Sequence, residues 1–305
     1  MHRDRTTGYA CTMNTVRFLQ LDVFTAKPGG GNSLGVVLDA AHWTGADMQR
    51  FAAWTHLVET TFLLPPRVAE ASYRLRIFTP TREIPFAGHP TIGSAHAALE
   101  AGLVQPVGGQ LLQECDAGLL PILVEGDGAD RWLLVESPKA RVLARGLTTD
   151  PQLAVILEGR RLGALAPAFV EGGRRWWLAE LADENEVRGW HPNHAAIAAL
   201  AHASDSLGLC VFARCDRPDY DVVVRAFPAG VGIVEDPASG AANGLIAAYI
   251  AACESDGSLG RGYRVSQGRE ISHDAHILVR IEGDSIWVGG QTHIVIDGLA
   301  HWPTS

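Results

Sequence analysis

His89 is the residue in this sequence that most invites a chemical reading. It stands in Phe86-Ala-Gly-His-Pro-Thr-Ile-Gly-Ser-Ala95, a Pro/Gly-rich turn that leads into a small, apolar stretch. The spacing predicts a helix over 90–101, with His89 at its N-cap and Pro90 at the first helical position. An imidazole there can give or take a proton near neutral pH. Asp236 stands in a similar place, in Glu235-Asp-Pro-Ala-Ser-Gly-Ala-Ala242, ahead of an Ala/Gly/Ile-rich helix predicted over 237–253. Glu59 heads a predicted strand over 57–64. Singly, each has an ordinary reading: His89 and Asp236 as helix caps, Glu59 as a solvated loop carboxylate. His191-Pro-Asn-His194 and His273-Asp-Ala-His276 have metal-like spacing, but no carboxylate or cysteine partner is evident, so no metal site is expected.

The two helix starts share the pattern [His/Asp]-Pro-x-x-Gly-[Ser/Ala]-Ala, at His89–Ala95 and at Asp236–Ala242. A basic residue and an aromatic at strand spacing precede each, Arg76/Phe78 and Arg225/Phe227. Copies half a chain apart indicate an internal duplication. In this register Ser94 is the partner of Ala241.

Alternation and β-branched content predict strands over 16–25, 34–38 and 72–78 and a hairpin over 111–125, with an amphipathic helix over 44–55. The turn-rich break at 126–130 marks a boundary between halves at 16–127 and 128–291. Strands are predicted over 132–136, 207–213, 222–227 and through most of 264–296, a hairpin over 168–178, and helices over 151–157 and 193–203. Each half thus has many strands and one helix without a polar face, which an enclosing sheet would explain. Residues 1–15 read as a loose extension without the apolar core of a signal peptide. The glycines of Lys27–Asn32 lack Gly-Lys-Ser/Thr and GxGxxG spacing, so they read as a mobile turn rather than a phosphate cradle.

At 305 residues, 47% hydrophobic and 19% charged, the chain is long enough for two globular domains. A net charge of −9 without a basic stripe argues against nucleic acid as partner. No apolar run approaches the ~20 residues of a membrane span. Cys11, Cys115, Cys210, Cys215 and Cys253 are scattered, without a CxxC pair, as expected in a reducing cytoplasm.

Taken together, Leu21–Thr25 with Gly31-Asn32, Glu59–Phe62, Arg76–Pro80, Ala87–Thr91, Glu235–Gly240 and Gln267-Gly268 resemble, in order, the motifs of the PhzF family of phenazine-biosynthesis isomerase-like proteins. That family shares the diaminopimelate epimerase fold. The resemblance implies an α+β protein of two similar halves, each a curled mixed sheet or barrel wrapped around a central apolar helix. It puts the active site in the cleft between them and returns the C-terminal strand, about 292–305, to the first half. It gives Glu59 the role of proton-moving acid/base and sets His89 and Asp236 against the substrate. Gly88, Ser239, Gly240, Ala241 and Asn32 would line the substrate, near backbone that holds its carboxylate. A homodimer is implied as well, and no cofactor.

Two departures stand out. Ala241 replaces the serine usual at that position, which makes isomerisation of dihydro-hydroxyanthranilate itself a poorer expectation. After Gln267-Gly268 the chain continues Arg269-Glu-Ile-Ser-His-Asp-Ala275 instead of the usual Gly-Arg-Pro-Ser-like turn.

The chemistry expected is proton transfer. Two helix N-termini at one cleft would hold a substrate carboxylate and stabilise an enolate-like anion. One carboxylate can then take and return a proton on a single face, and burial beside Asp236 would raise the pKa of Glu59 toward a useful range. Racemisation needs two bases. The epimerases of this fold use a cysteine at each helix start, where this chain has Ala87-Gly88 and Ser239-Gly240. A cofactor-independent isomerase acting on a small carboxylate-bearing metabolite is therefore the leading expectation. A non-catalytic binding protein is the alternative that Ala241 keeps open, and a racemase is disfavoured.

Overall fold

The computed structural model describes residues 12–304. The first part of the chain forms β1 (Thr12–Val23), β2 (Asn32–Val37), α1 (Gly45–Thr55), β3 (Thr60–Leu64), β4 (Tyr73–Phe78), β5 (Glu83–Ile84), α2 (Gly88–Glu100), β6 (Gln110–Cys115), β7 (Gly118–Glu125) and β8 (Trp132–Glu136). There follow β9 (Arg141–Arg145), α3 (Pro151–Ile156), β10 (Ala168–Gly172), β11 (Arg174–Glu180), α4 (Glu184–Arg188), α5 (His194–Ala203), β12 (Leu209–Arg214), β13 (Val222–Phe227), α6 (Gly240–Cys253), β14 (Gly262–Gln267), β15 (Ala275–Glu282), β16 (Ser285–Gly290) and β17 (Thr292–Thr304).

The strand pairings expose a duplication more regular than the sequence suggests. One half runs β17-β1-β2-β3-β4-β6-β7-β8. The other runs β9-β10-β11-β12-β13-β14-β15-β16. Both follow the same succession: antiparallel, antiparallel, parallel, antiparallel, parallel, antiparallel, antiparallel. They join edge to edge where β8 pairs with β16. The result is one curled mixed sheet that does not close, since β17 and β9 each have a single partner strand among the described residues. In this symmetry β17 occupies the place of β9, so the last strand of the chain completes the first half. The turn over 126–131 joins two paired strands of that half, and we place the junction between halves after β8, at 137–140, rather than in that turn.

Each half wraps a helix. α2 is buried from His89 to Ala98, and α6 buries Ala242 to Ala247, Tyr249 and Ile250. Both belong to one continuous apolar core. Gly93 lets α2 lie flat on the sheet, because a Cβ there would meet Leu34 at 2.5 Å and Val23 at 2.8 Å. The outer faces carry separate cores: α1 with Trp43, Met48, Phe51 and Phe62 on the first half, and α3, α4 and α5 with Trp177, Trp190 and Phe227 on the second. Strands covered on both faces, such as β13, are buried at every position.

Some boundaries differ from expectation. β1 begins at Thr12, inside the segment read as loose, because it pairs with β17 as far as Thr304. Residues 1–11, including Cys11, lie outside the described residues. His89 is not the N-cap of α2. That position is Ala87, and His89 sits in the first turn. α6 starts at Gly240, capped by Ser239, because Asp236 still pairs with Ala226 in an extended bridge. The equivalent bridge in the first half joins Ile77 and Ile84. These bridges fix the register of the duplication: Gly88 matches Gly240, Ile84 matches Asp236 and His89 matches Ala241. Ser94 is therefore not the partner of Ala241. It lies a turn deeper and shares a 2.8 Å hydrogen bond with Thr61.

Candidate active site

An arginine on each half sets the approach to the site. Arg76 on β4 donates Nε and Nη2 to the two carboxylate oxygens of Glu83, each at 2.7 Å. Arg225 on β13 grips Glu235 in the same way, at 2.9 and 2.8 Å. Each clamped glutamate turns outward, so the next residue, Ile84 or Asp236, turns inward. Five residues beyond each glutamate the central helix begins. Gly88 and Gly240 touch there: a Cβ on either would sit 3.5 Å from the Cα of the other. The N–H groups of Gly88, His89, Gly240 and Ala241 have no intrahelical acceptor, so two helix N-termini present donors and positive dipole ends to one place.

Glu59 and His89 enter this place from the first half. Glu59 Oε2 lies 3.3 Å from His89 Nε2, with the side chains 12% and 9% exposed. The contact is out of line for a hydrogen bond, and both atoms are buried without a partner. Buried polar atoms left unpaired are costly, and such atoms mark places where a ligand supplies what is missing. Burial first, and the nearby charge of Asp236 second, push the Glu59 carboxyl up to about 8. Burial pushes His89 down to about 3, so its imidazole is neutral.

Asp236 comes from the second half. Burial raises its carboxyl to about 7, against the Ala238 N–H, the Ser239 hydroxyl and the Asn32 amide, which favour its charged form. Asn32 Nδ2 donates 2.9 Å hydrogen bonds to Asp236 Oδ1 and to the Ala238 carbonyl. Asn32 therefore holds Asp236 across the junction of the halves. Gln267 supports the same loop: its Nε2 donates to the Asp236 carbonyl at 2.8 Å, and its Oε1 accepts from Ser239 N–H and Asn243 Nδ2.

Residues 21–300 match the PhzC-PhzF family, described as phenazine biosynthesis-like proteins. This chain belongs to that family. An uncharacterised isomerase of Mesorhizobium japonicum is 45% identical, covering 94% of this chain and 99% of that protein. The trans-2,3-dihydro-3-hydroxyanthranilate isomerase of Pseudomonas aeruginosa is 29% identical over 93% of this chain and 99% of its own. A Bacillus anthracis PhzF-family structure superposes with a TM-score of 0.80 at 24% identity, over 94% of this chain and 99% of that one.

Within this PhzF-like chain, all three residues read as chemical, Glu59, His89 and Asp236, converge beside the paired glycines. Ala241 lies in the first turn of α6 and is exposed. Ser239 serves as N-cap, accepting from Ala242 N–H at 3.4 Å. Phe24 escaped the sequence reading. Its φ of 68° is strained for an aromatic residue, and its ring would touch a Cβ on Gly240 at 3.5 Å. Bonds from Phe24 N to Gln291 O and from His276 N to Phe24 O hold it there. No periodicity signals that conformation. The His191/His194 and His273/His276 rings are engaged elsewhere: His191 Nδ1 meets the Gly189 carbonyl, and His273 Nδ1 that of Gly31, next to Asn32. Among the described residues no group of three or more His, Cys, Asp and Glu is arranged to hold a metal ion, and no helix is long and apolar enough to cross a membrane.

Proposed function

We propose that this chain is a cofactor-independent isomerase that moves a proton between two carbons of a small, carboxylate-bearing metabolite, with Glu59 as its acid/base. The observation that carries the reading is the Glu59 carboxyl: buried, unpartnered, 3.3 Å from His89 and raised to about 8. The substrate carboxylate lies against the free N–H groups of Gly88, His89, Gly240 and Ala241. Ionised Glu59 takes a proton from a carbon conjugated to that carboxylate, and the C–H electron pair enters the π system. The delocalised anion is held by the helix N-termini. Protonated Glu59 then returns the proton to a second carbon on the same face, so a double bond has moved and nothing has been oxidised. Neutral His89 donates to a heteroatom of the substrate, and Asp236 accepts from one of its donors.

The assay is proton exchange in D2O, followed by NMR on a panel of carboxylated metabolites. Deuterium should enter a carbon position of the substrate with wild-type protein and not with Glu59→Gln. Exchange that survives in Glu59→Gln removes Glu59 from the role. The cytoplasm and a homodimer complete the proposal. Its dimer part is supported by the edge of β17 that has no partner strand among the described residues, where Val295, Ile296 and Leu299 are exposed. A monomer in sedimentation velocity would remove that part.

A further inference from the structure

A cavity of about 250 Å³ lies on the outer face of the first half, apart from the cleft. Its wall includes Arg67, Arg74, Arg76, Glu83, Glu114 and Asp116. On β4, Tyr73, Leu75 and Ile77 face the core around α2, so Arg74 and Arg76 face the other way. Arg76 is committed to Glu83. Glu114 gives one carboxylate oxygen to the Arg67 backbone N–H at 2.7 Å. Among the described residues the guanidinium groups of Arg67 and Arg74 have no ion pair, and Arg74 Nε is buried without any hydrogen-bond partner. Burial and the charges of Arg67 and Arg76 lower the pKa of Arg74, with Glu114 and Asp116 opposing them. A buried donor without an acceptor, beside a second unpaired cation, is an arrangement that an incoming anion relieves.

The other half fills the matching strand positions differently. The strand register matches Arg74 with Val223, which is fully buried beneath the outer helices. Arg225, the match of Arg76, has the Val187 and Trp190 carbonyls as further acceptors at 3.2 and 2.5 Å. In the first half Arg76 Nη1 finds only Met48 Sδ, at 3.5 Å. The first half thus keeps an arginine where its twin has a valine, and the cavity that Arg225 lines in the other half, of about 270 Å³, has Arg188, Trp190, His191 and Glu270 in its wall instead.

We propose that this cavity binds a phosphate group, with Arg67 and Arg74 gripping its oxygens. The volume exceeds what one phosphate fills, and the free oxygen of Glu114 with Asp116 suits hydroxyl or amino donors. The occupant is therefore a small phosphomonoester carrying such groups, and free phosphate shares its chemistry. Calorimetric titration of the full chain with glycerol 3-phosphate, and separately with inorganic phosphate at matched ionic strength, tests this. Glycerol 3-phosphate should bind saturably, one per chain, and inorganic phosphate more weakly. Arg74→Val, which installs the residue of the other half, and Arg67→Ala should each weaken binding by about tenfold or more. Equal affinity for the two compounds would make free phosphate the occupant. No saturable binding of either, or binding unchanged in both variants, overturns the site. The second result would place the anion elsewhere, such as the helix starts of the cleft. If Arg74→Val does not fold, the exposed Arg67→Ala decides alone.

Discussion

The two halves share a scaffold and differ at the positions that meet in the cleft. Strand succession, Arg–Glu clamp, Arg-over-Phe stacking at 5.1 Å and the paired glycines are the same in both. The strand pairings set Glu59 opposite Gly208 in the duplication, because Thr60 pairs with Phe78 as Leu209 pairs with Phe227. His89 is matched by Ala241, Asp236 by Ile84 and Ser239 by Ala87. Every group able to exchange a proton in the cleft thus has a partner that cannot. A duplicated scaffold with two bases would suit inversion at one carbon. Glu59 has no base at its matching position, so in the proposed reaction the proton leaves and returns on one face, which suits its relocation between carbons.

The largest effect expected follows from that asymmetry. Glu59→Gln should lower turnover by about 10³-fold or more, since its match in the other half is Gly208 and Asp236 is held by Asn32. Ala241→Ser should leave measurable exchange, because it changes no proton-transfer group. A Glu59→Gln loss below tenfold would show that a base on the other half shares the work. The pH profile sharpens the point. If ionised Glu59 is the base, as proposed, kcat/KM should climb about tenfold per pH unit below about 8 and then level off. Asp236→Asn removes the neighbouring negative charge that helps hold the Glu59 carboxyl up, so the rising limb should move to lower pH. A limb that stays in place would separate the two carboxyls electrostatically.

Next in size is the unequal burial of the clamps. The Arg225–Glu235 side chains are 7% and 4% exposed, against 26% and 29% for Arg76–Glu83. Breaking a buried pair strands its partner, whereas an accessible partner is rescued by water. Arg225→Ala should therefore cost about 3–5 kcal/mol in urea unfolding, and Arg76→Ala about 1 kcal/mol. Equal costs would mean that outer helix cover plays no part in the difference.

The sequence shows the central helices through their lack of a polar face, most strands through alternation, and the three chemical residues through their family motifs. The register of the duplication was legible but misplaced. Small residues recur so often near both helix starts that His89-Pro and Asp236-Pro align by composition. The better signal was Glu83-x-Pro-x-x-Gly88 against Glu235-x-Pro-x-x-Gly240, each following Arg-x-Phe. It outranks the first because a clamped glutamate fixes which neighbour faces the cleft. The hold of Asn32 on Asp236 and the φ of Phe24 were not legible, since both depend on contacts between distant parts of the chain.

A smaller effect has a sign that distinguishes a working carboxyl from a structural one. The Glu59 carboxyl is raised in the folded protein, so the unfolded chain ionises first as pH increases. Stability is then lost as pH rises from about 4.5 toward about 8. Glu59→Gln should be the more stable protein at pH 7, by about 3 kcal/mol. That advantage should fade toward pH 4.5, where both states carry a neutral carboxyl. A variant destabilised at pH 7 would mean that the carboxylate makes favourable contacts in the folded protein, contrary to its lack of a partner.

The smallest difference lies at the caps. Ser239 caps α6 through its hydroxyl, and Ala87 offers α2 no side-chain cap. Replacing a capping serine by alanine costs about 1 kcal/mol, and the reverse change gains at most about as much. Ser239→Ala should therefore lower stability by about that amount, and it should also raise the Asp236 carboxyl further, since the hydroxyl favours its charged form. Ala87→Ser should stabilise by a few tenths of a kcal/mol without moving the pH profile, because its match to Asp236 is the apolar Ile84. Thermal unfolding and pH–rate curves of both variants read the two effects separately. A profile shifted equally by Ala87→Ser would make the cap, rather than its proximity to Asp236, the source of the effect, and the halves would then be electrostatically alike.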